Sequence, residues 1–236
     1  MAFPTFEDAT SGFNSTNSAT HTITYPATVN ADDLLVHWFT SDDNTYTTSG
    51  WAAEGWTVIV DDFASTGSQV LGNCAYLYAD GTETGTFDIT TSGDIEKSAW
   101  VILRFSGAED PATQAPEVQT NSAVDSLTVD PPSITPTGGA KDYIFIAFSG
   151  ADQDAVTPAY PANYINTGTV ASSGAGFVTA AWGTRALNAT SEDPAAFVYT
   201  GTADAWVAAT VAIHPAAAGG GSNIPVIKHH LDQMAA

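Results

Sequence analysis

The side chains of this sequence that could do chemistry are mostly carboxylates. Aspartate and glutamate number 26, against 5 lysines and arginines, 5 histidines and one cysteine. Three acidic segments offer the oxygen ligands that Ca²⁺ prefers: residues 42–44, 61–62 and 152–154. None has the spacing of an EF-hand loop, so we expect solvated acidic loops, with Ca²⁺ binding as the alternative. No other cofactor is indicated.

Histidine and cysteine form no recognisable zinc-binding or nucleophilic pattern. The histidine spacing would not place two of them on one metal ion. His37 lies inside an apolar run, which predicts a core or interface histidine with satisfied hydrogen bonds. Cys74 has no basic sequence neighbour to activate its thiol, so we expect a small packed residue. Since no serine stands in a nucleophile-elbow motif, we predict that the chain is not an enzyme.

Glycoside hydrolysis needs two carboxylates in unlike environments, and the sequence has enough acidic residues to supply such a pair. Glu83 and Glu192 occupy equivalent places in two similar halves of the sequence, each in a polar turn before a strand. Symmetric placement of this kind predicts a structural role in the turn. Glycan hydrolysis is therefore a second alternative function.

The tryptophans fall into two groups. Four lie inside strand-like runs and are predicted to be core residues: Trp38, Trp100, Trp182 and Trp206. Trp51 and Trp56 flank a loop-like segment, and they are the candidate contacts for a glycan or a protein. A carbohydrate-binding adhesin or receptor-binding module, with a host-surface glycan as its ligand, is accordingly the first alternative function.

The elements that must position these residues are strands. Runs rich in β-branched and aromatic residues alternate with clusters of Gly, Asp, Asn, Ser and Pro. The runs recur in the same order at an offset of about 106 to 110 residues, so that residues 33–39 match residues 142–148. Four runs are apolar throughout and need cover on both faces: residues 34–39, 99–103, 143–148 and 205–213.

We therefore predict an all-β fold, an antiparallel jelly-roll-like β-sandwich built from two pseudo-repeats at about residues 21–108 and 122–215. One half alone would leave apolar strands uncovered. We expect the halves to pack as one domain over residues 21–215, with two tandem sandwiches as the alternative. Residues 1–20 are expected to form an N-terminal arm.

The end of the chain differs in kind. Residues 216–222 are predicted to form a Gly-rich flexible linker, and residues 223–236 are predicted to form one short amphipathic helix. We expect this helix to dock on another subunit, with a frayed tail or a helix folded back on its own sandwich as alternatives. The candidate docking residues are Ile224, Ile227, Lys228, Leu231 and Met234.

Charge and targeting signals exclude several classes of partner. The net charge of −21 argues against nucleic acid and against anionic membrane surfaces. It indicates either a soluble surface or adaptation to a salty medium. The sequence contains neither a signal peptide nor an apolar run long enough to span a membrane. We therefore expect a protein that is made and kept in the cytoplasm, or that leaves it by lysis or by a route that the sequence does not encode.

Five strings resemble a β-sandwich module of tailed-bacteriophage structural proteins, of the tail-fibre, tail-tip and head-decoration types. They are residues 31–36, 55–57, 75–83, 101–108 and 205–215. The resemblance covers about residues 21–215, and it departs at Asn163-Tyr164, where Gly-Trp is usual. It implies a non-enzymatic role in a virion assembled in the host cytoplasm, as a capsid decoration or tail appendage. The implied partners are other virion proteins and further copies of the chain.

Overall fold

The computed structural model describes residues 2–42, 47–65, 70–92, 96–152, 157–174 and 176–217. Fifteen strands carry almost all of the regular structure in these ranges. Their bounds are β1 Thr5–Ser18, β2 Thr20–Thr24, β3 Leu34–Asp42, β4 Thr48–Ser49, β5 Thr57–Ala64, β6 Val70–Tyr78, β7 Thr86–Thr91, β8 Glu96–Ser106, β9 Glu117–Ser126, β10 Thr128–Val129, β11 Lys141–Ala151, β12 Ile165–Ala171, β13 Thr179–Ala189, β14 Phe197–Val198 and β15 Asp204–Ile213.

Two short helical segments complete these elements. A 3₁₀ turn spans Trp51–Glu54, between glycines at positions 50 and 55 that both adopt positive φ. Helix α1 spans Pro111–Gln114 and connects the two halves of the chain. The Asp110 carboxylate accepts a hydrogen bond from the Ala112 amide at 2.8 Å, and proline stands in the first turn, so both helix-start preferences are met.

The strand order repeats between the halves. The first large sheet has the order β1-β8-β3-β6-β5, and the second large sheet has the order β9-β15-β11-β13-β12 when read from the equivalent edge. A small sheet accompanies each: β2-β7-β4 in the first half and β10-β14 in the second. All strand pairs are antiparallel. The all-β prediction and the internal repeat are thereby confirmed.

The large sheets pack against each other through one continuous apolar cluster. Its members come from both halves, and Leu34, Val36 and Trp38 of β3 meet Ile144, Ile146 and Phe148 of β11 there. The outer face of each large sheet is covered by the small sheet of its own half. Each half is therefore sandwich-like in itself, and the central strands are buried on both faces, as their uninterrupted apolar runs require.

The register between the repeats differs from the sequence match by one residue. Matching residues 33–39 to 142–148 pairs Trp38 with Ala147, yet Trp38 faces the core between the large sheets, whereas Ala147 faces the second small sheet. Phe148 occupies the face equivalent to that of Trp38. Successive strand residues point to opposite faces, so a shift of one position exchanges the two cores.

The N-terminal arm expected at residues 1–20 is wrong for most of its length. Residues 5–18 form β1, which pairs with β8 from Thr5 opposite Ser106 to Ser18 opposite Glu96. This strand is mostly polar and lies at the sheet edge, where backbone pairing with β8 holds it together with the Phe6 ring, which packs edge-on against Phe105. The repeats accordingly begin earlier than predicted, near residues 5 and 117.

Candidate functional site

An open cleft of about 400 Å³ lies at one end of the first half. One wall is the 3₁₀ turn and the residue after it, with Ala53, Glu54 and Gly55. The opposite wall is the turn between β6 and β7, and Tyr25, Leu77 and Tyr78 also line the space. The lining is mostly polar, whereas binding sites for small molecules are usually lined mostly by apolar side chains.

Carboxylates give the cleft its charge. Glu54 is exposed, and Asp80 and Glu83 stand in the turn after β6. The Glu83 carboxylate accepts hydrogen bonds from the Asp80 and Gly81 amides, both at 3.0 Å, so it holds the turn as predicted from its sequence position. Asp80 accepts from the Thr82 amide and hydroxyl, and these bonds lower the pKa of Asp80. None of the three carboxylates forms an ion pair with any residue that the structure describes.

Tyr25 connects the cleft to the core behind it. Its ring stacks on Trp56 with the centroids 6.2 Å apart, and the indole Nε1 of Trp56 donates to its hydroxyl at 3.1 Å. Burial raises the pKa of Tyr25, and the negative charges of Glu54 and Glu83 act in the same direction against the hydrogen bond from Trp56. The phenol therefore stays protonated at neutral pH and keeps its own proton for donation.

Trp51 and Trp56 do not present their rings to solvent. Both residues belong to the apolar cluster between the first large and first small sheets, and they are 3% and 4% exposed. The expectation that these two rings contact a glycan or a protein is corrected by this burial. The 3₁₀ turn between them packs on the outer face of the first large sheet, and this packing turns both rings inward. The other four tryptophans are buried, as predicted.

His37 is buried at the centre of an aromatic cage. Five rings surround it with centroids 4.7 to 6.4 Å away: Phe39, Trp51, Trp56, Phe87 and Trp100. Its position in the core is as predicted, but neither ring nitrogen has a hydrogen-bond partner among the described residues. Burial lowers the pKa of His37 to about 3, so the ring is neutral at physiological pH.

Two ion pairs, each with a buried carboxylate, fasten loops to the sheets. Arg104 of β8 donates to Asp33 at 2.8 Å, and Asp33 in turn accepts from the Asn30 amide at the turn before β3. In the second half Arg185 donates to Glu192 at 2.8 Å, and the Tyr164 hydroxyl donates to the same carboxylate at 3.2 Å. Glu192 thus has a structural role, as predicted, although it is buried where Glu83 is half-exposed.

His214 and Glu117 form a third polar contact, at the end of β15. Nε2 of His214 lies 2.8 Å from Oε1 of Glu117, and Thr137 donates to the same carboxylate through its amide and hydroxyl. Burial lowers the pKa of His214 although Glu117 acts against it. Hydrogen bonds from Thr137 and His214 lower the pKa of Glu117 despite its partial burial. The pair ties β9 to the end of β15.

The acidic segments were predicted to be solvated loops, with Ca²⁺ binding as the alternative. Within the described ranges, no three His, Cys, Asp or Glu side chains come together in a way that could hold an ion. Asp62 accepts from the Thr48 amide and hydroxyl, which ties β5 to β4. Residues 43–44 and 153–154, which belong to the other two predicted acidic loops, lie outside the described residues.

The candidate docking residues also lie outside the described part of the chain. Ile224, Ile227, Lys228, Leu231 and Met234 all follow residue 217, the last that the structure describes. Cys74 is buried, and burial raises the pKa of its thiol, which agrees with a packed residue. Neither helical segment of the described chain is long or apolar enough to cross a membrane.

Comparison with protein families, with curated proteins and with solved structures finds no match to this chain.

Proposed function

We propose that the chain is a non-enzymatic structural protein of a bacteriophage particle, either a capsid decoration or a tail appendage. In this role it binds other virion proteins and further copies of itself, and it is assembled in the host cytoplasm. The proposal starts from the resemblance of residues 31–36, 55–57, 75–83, 101–108 and 205–215 to such proteins. Several of these strings form buried strands and the turns between them.

The observation that carries the proposal is the strand order of the first half. The orders β1-β8-β3-β6 and β2-β7-β4, facing each other across an apolar core, are similar to the sheets of a jelly roll and support the proposal, with β5 added beside β6 in the larger sheet. The second half repeats the larger of these orders. Jelly rolls occur in viral capsid domains and also in lectins. This support is an analogy of fold, since fold alone does not determine function.

The sheet edges supply surfaces for such contacts. β1 and β12 are edge strands of their sheets. Phe13 on β1 is 53% exposed and Ile165 on β12 is 63% exposed. An edge strand with unpaired backbone groups and an exposed apolar side chain can pair with another chain. These two strands are therefore the proposed contact sites.

The test is to locate the protein in the source organism. Particles purified on a density gradient would be examined by peptide mass spectrometry and by immunogold electron microscopy with an antibody against the recombinant chain. We expect the chain to co-purify with particles and the label to lie on the head or the tail. Recovery of the chain only from the soluble fraction, at a density without particles, would overturn the proposal.

A further inference from the structure

The first small sheet is attached to the first large sheet through side chains. Its strands β2, β7 and β4 pair with one another, and none of them pairs with a strand of the large sheet in the part of the chain that the structure describes. The first outer layer, which is the apolar cluster between these two sheets, includes Ile23, Phe39 and Trp100. The packing of this layer therefore decides whether the small sheet stays in place.

Two of the three histidines that the structure describes are buried in the first outer layer. His37 belongs to β3 of the large sheet and His21 to β2 of the small sheet, and neither is exposed to solvent. Phe39 meets both rings edge-on, with centroids 5.3 Å from His21 and 6.4 Å from His37. Each sheet thus contributes one histidine to the contact between them.

Neither ring has the partners that a protonated histidine needs. An imidazolium donates a hydrogen bond from each of its two nitrogens. Both nitrogens of His37 and Nε2 of His21 lack a partner among the described residues, while Nδ1 of His21 lies 2.8 Å from the Ser98 hydroxyl oxygen. A proton on either ring therefore places a charge and at least one unsatisfied donor in an apolar layer, which is strongly unfavourable. Cation–π contact with the rings around His37 offsets part of this cost but supplies no acceptor.

Among the described residues, none of the other ionisable groups bonds to either histidine. On or beside the first outer layer these groups are Tyr25, Asp33, Glu54, Asp62, Glu83, Glu96 and Arg104. The groups of the same strands that point away from the layer are Asp42, Asp61, Cys74, Tyr76, Tyr78, Asp88 and Lys97. Arg104 and Asp33 bind each other, and Asp62 binds Thr48. Burial is the cause that lowers the pKa of both histidines, and no neighbouring carboxylate raises it.

The second half lacks this pair of histidines. The structural match between the repeats places Ala147 at the position of His37 and Leu127 at the position of His21. Both are apolar and pack between the second large and second small sheets. The remaining described histidine, His214, has its carboxylate partner at 2.8 Å, so a proton taken up there meets a counter-ion. Sensitivity to acid is therefore built into one outer layer and not into its repeat.

We propose that the first small sheet is a cover that mild acid releases. Protonation of His21 and His37 separates β2, β7, β4 and the 3₁₀ turn from the first large sheet, while the second small sheet and the core between the large sheets stay packed. Release exposes the apolar outer face of the first large sheet, including Trp100 of β8. This inference does not rest on the proposed virion role, because it depends only on how the two histidines are buried.

Amide hydrogen exchange of the full chain, followed by NMR at pH 7.5 and pH 5, tests the release. The Tyr25 and Thr91 amides report on the first small sheet and the Val198 and Tyr199 amides on the second, because each donates to a backbone carbonyl there. A detached small sheet has too few strands to keep its hydrogen bonds closed. Since an exposed histidine regains its ordinary pKa of 6.5, each of the two should favour the open form about 30-fold at pH 5.

The two small sheets should therefore respond differently to the change of pH. We expect the protection factors of Tyr25 and Thr91 to fall about 1000-fold between pH 7.5 and pH 5, and those of Val198 and Tyr199 to change less than about threefold. Protection factors already correct for the direct effect of pH on exchange. Equal losses at the two small sheets, or no loss at the first, would overturn the proposal.

Variants assign the effect to the two histidines. His37→Phe should reduce the loss at Tyr25 and Thr91 to about 30-fold, and adding His21→Asn, whose amide still reaches the Ser98 hydroxyl, should reduce it to less than about threefold. The matched change His214→Gln removes the remaining described histidine and should leave the loss at about 1000-fold. A double variant that loses as much protection as the natural chain, or a His214→Gln chain that loses none, would contradict the proposal.

Discussion

Trp38 and Phe148 stack on each other across the core between the two large sheets. Their ring centroids are 5.3 Å apart and their planes differ by 5°. Each ring comes from the central strand of its own sheet, β3 and β11, and occupies the equivalent face there. The contact joins the two sequence repeats at their centre, so the halves depend on a common core.

Removing one of these rings should destabilise the whole molecule. Because Trp38 is fully buried between the sheets, we expect Trp38→Ala to lower the free energy of unfolding by about 3 to 5 kcal/mol. Urea unfolding followed by fluorescence and by far-ultraviolet circular dichroism should show one transition, shifted to lower urea. The matched aromatic change Phe13→Ala, at a largely exposed position, should alter stability by less than about 0.5 kcal/mol. Two separated transitions, of which Trp38→Ala moves one, would show that the halves unfold independently.

Buried histidines should make the protein sensitive to mild acid. Burial lowers the pKa of His37 from 6.5 to about 3 and that of His21 to about 4. Between these values and pH 6.5 the unfolded chain binds more protons than the folded one. The contribution of these two histidines to the free energy of unfolding is therefore fully present above pH 6.5 and is lost progressively as the pH falls below it. At pH 5, 1.5 units below 6.5, the expected loss is about 2 kcal/mol per histidine.

The histidine contribution can be isolated by substitution. Neither ring nitrogen of His37 has a described partner, so His37→Phe removes a titrating group without breaking a hydrogen bond. We expect this variant to lose about 2 kcal/mol less than the natural chain between pH 7.5 and pH 5, measured by urea unfolding. Carboxylates titrate in both proteins, and their effect cancels in the difference. Equal losses in the two proteins would show that His37 does not titrate in this way.

The ion pair between Arg104 and Asp33 should be costly to break from one side. Both side chains are nearly buried, at 11% and 4% exposure, so Asp33→Ala leaves a guanidinium without its partner. We expect a loss of about 3 kcal/mol by thermal or urea unfolding. The double variant Asp33→Leu with Arg104→Met removes both charges and should regain much of this loss. A double variant as unstable as Asp33→Ala would show that the pair itself, and not the stranded charge, supplies the stability.

Gly12 is required because a tryptophan lies over it. In β1, a Cβ at Gly12 would come within 2.5 Å of the Trp100 ring on the neighbouring strand. Gly168 on β12 faces Trp182 in the same way. We expect Gly12→Ala to lower the free energy of unfolding by about 1 to 3 kcal/mol, because the buried indole has to move. The adjacent change Ser11→Ala should have little effect in the same urea assay, and equal effects of the two changes would contradict the steric argument.

The sequence predicts the strands correctly where an uninterrupted apolar run indicates a buried strand. β3, β8, β11 and β15 are apolar on both faces in the sequence and are buried on both faces in the structure. This pattern alone predicts that both faces of these strands are covered, because a strand with one face in water alternates apolar and polar residues. The repeat was visible for the same reason.

Other features left little or no signal in the sequence. β1 is mostly polar and is held largely by backbone pairing, which hydrophobic periodicity does not detect. The sequence match between the repeats differs by one residue from the structural match, in which Trp38 is equivalent to Phe148. The sequence could not show this difference, because both faces of these strands are apolar and either register is compatible with the pattern. Trp51 and Trp56 turn inward because they cover the outer face of the first large sheet, and the sequence does not show that this face lies beneath them. The cleft joins residues 25, 53–55 and 77–84, which only the folded chain brings together.

Both ends of the described chain emerge side by side. Thr5 lies opposite Ser106 in the first large sheet, and the Ala216 amide donates to Gly107, the next residue along. A short peptide linker could close this gap, so the chain suits circular permutation and insertion as a unit into a loop of another protein. Cargo fused before β1 and cargo fused after Ala217 would be displayed next to each other on one face of any assembly.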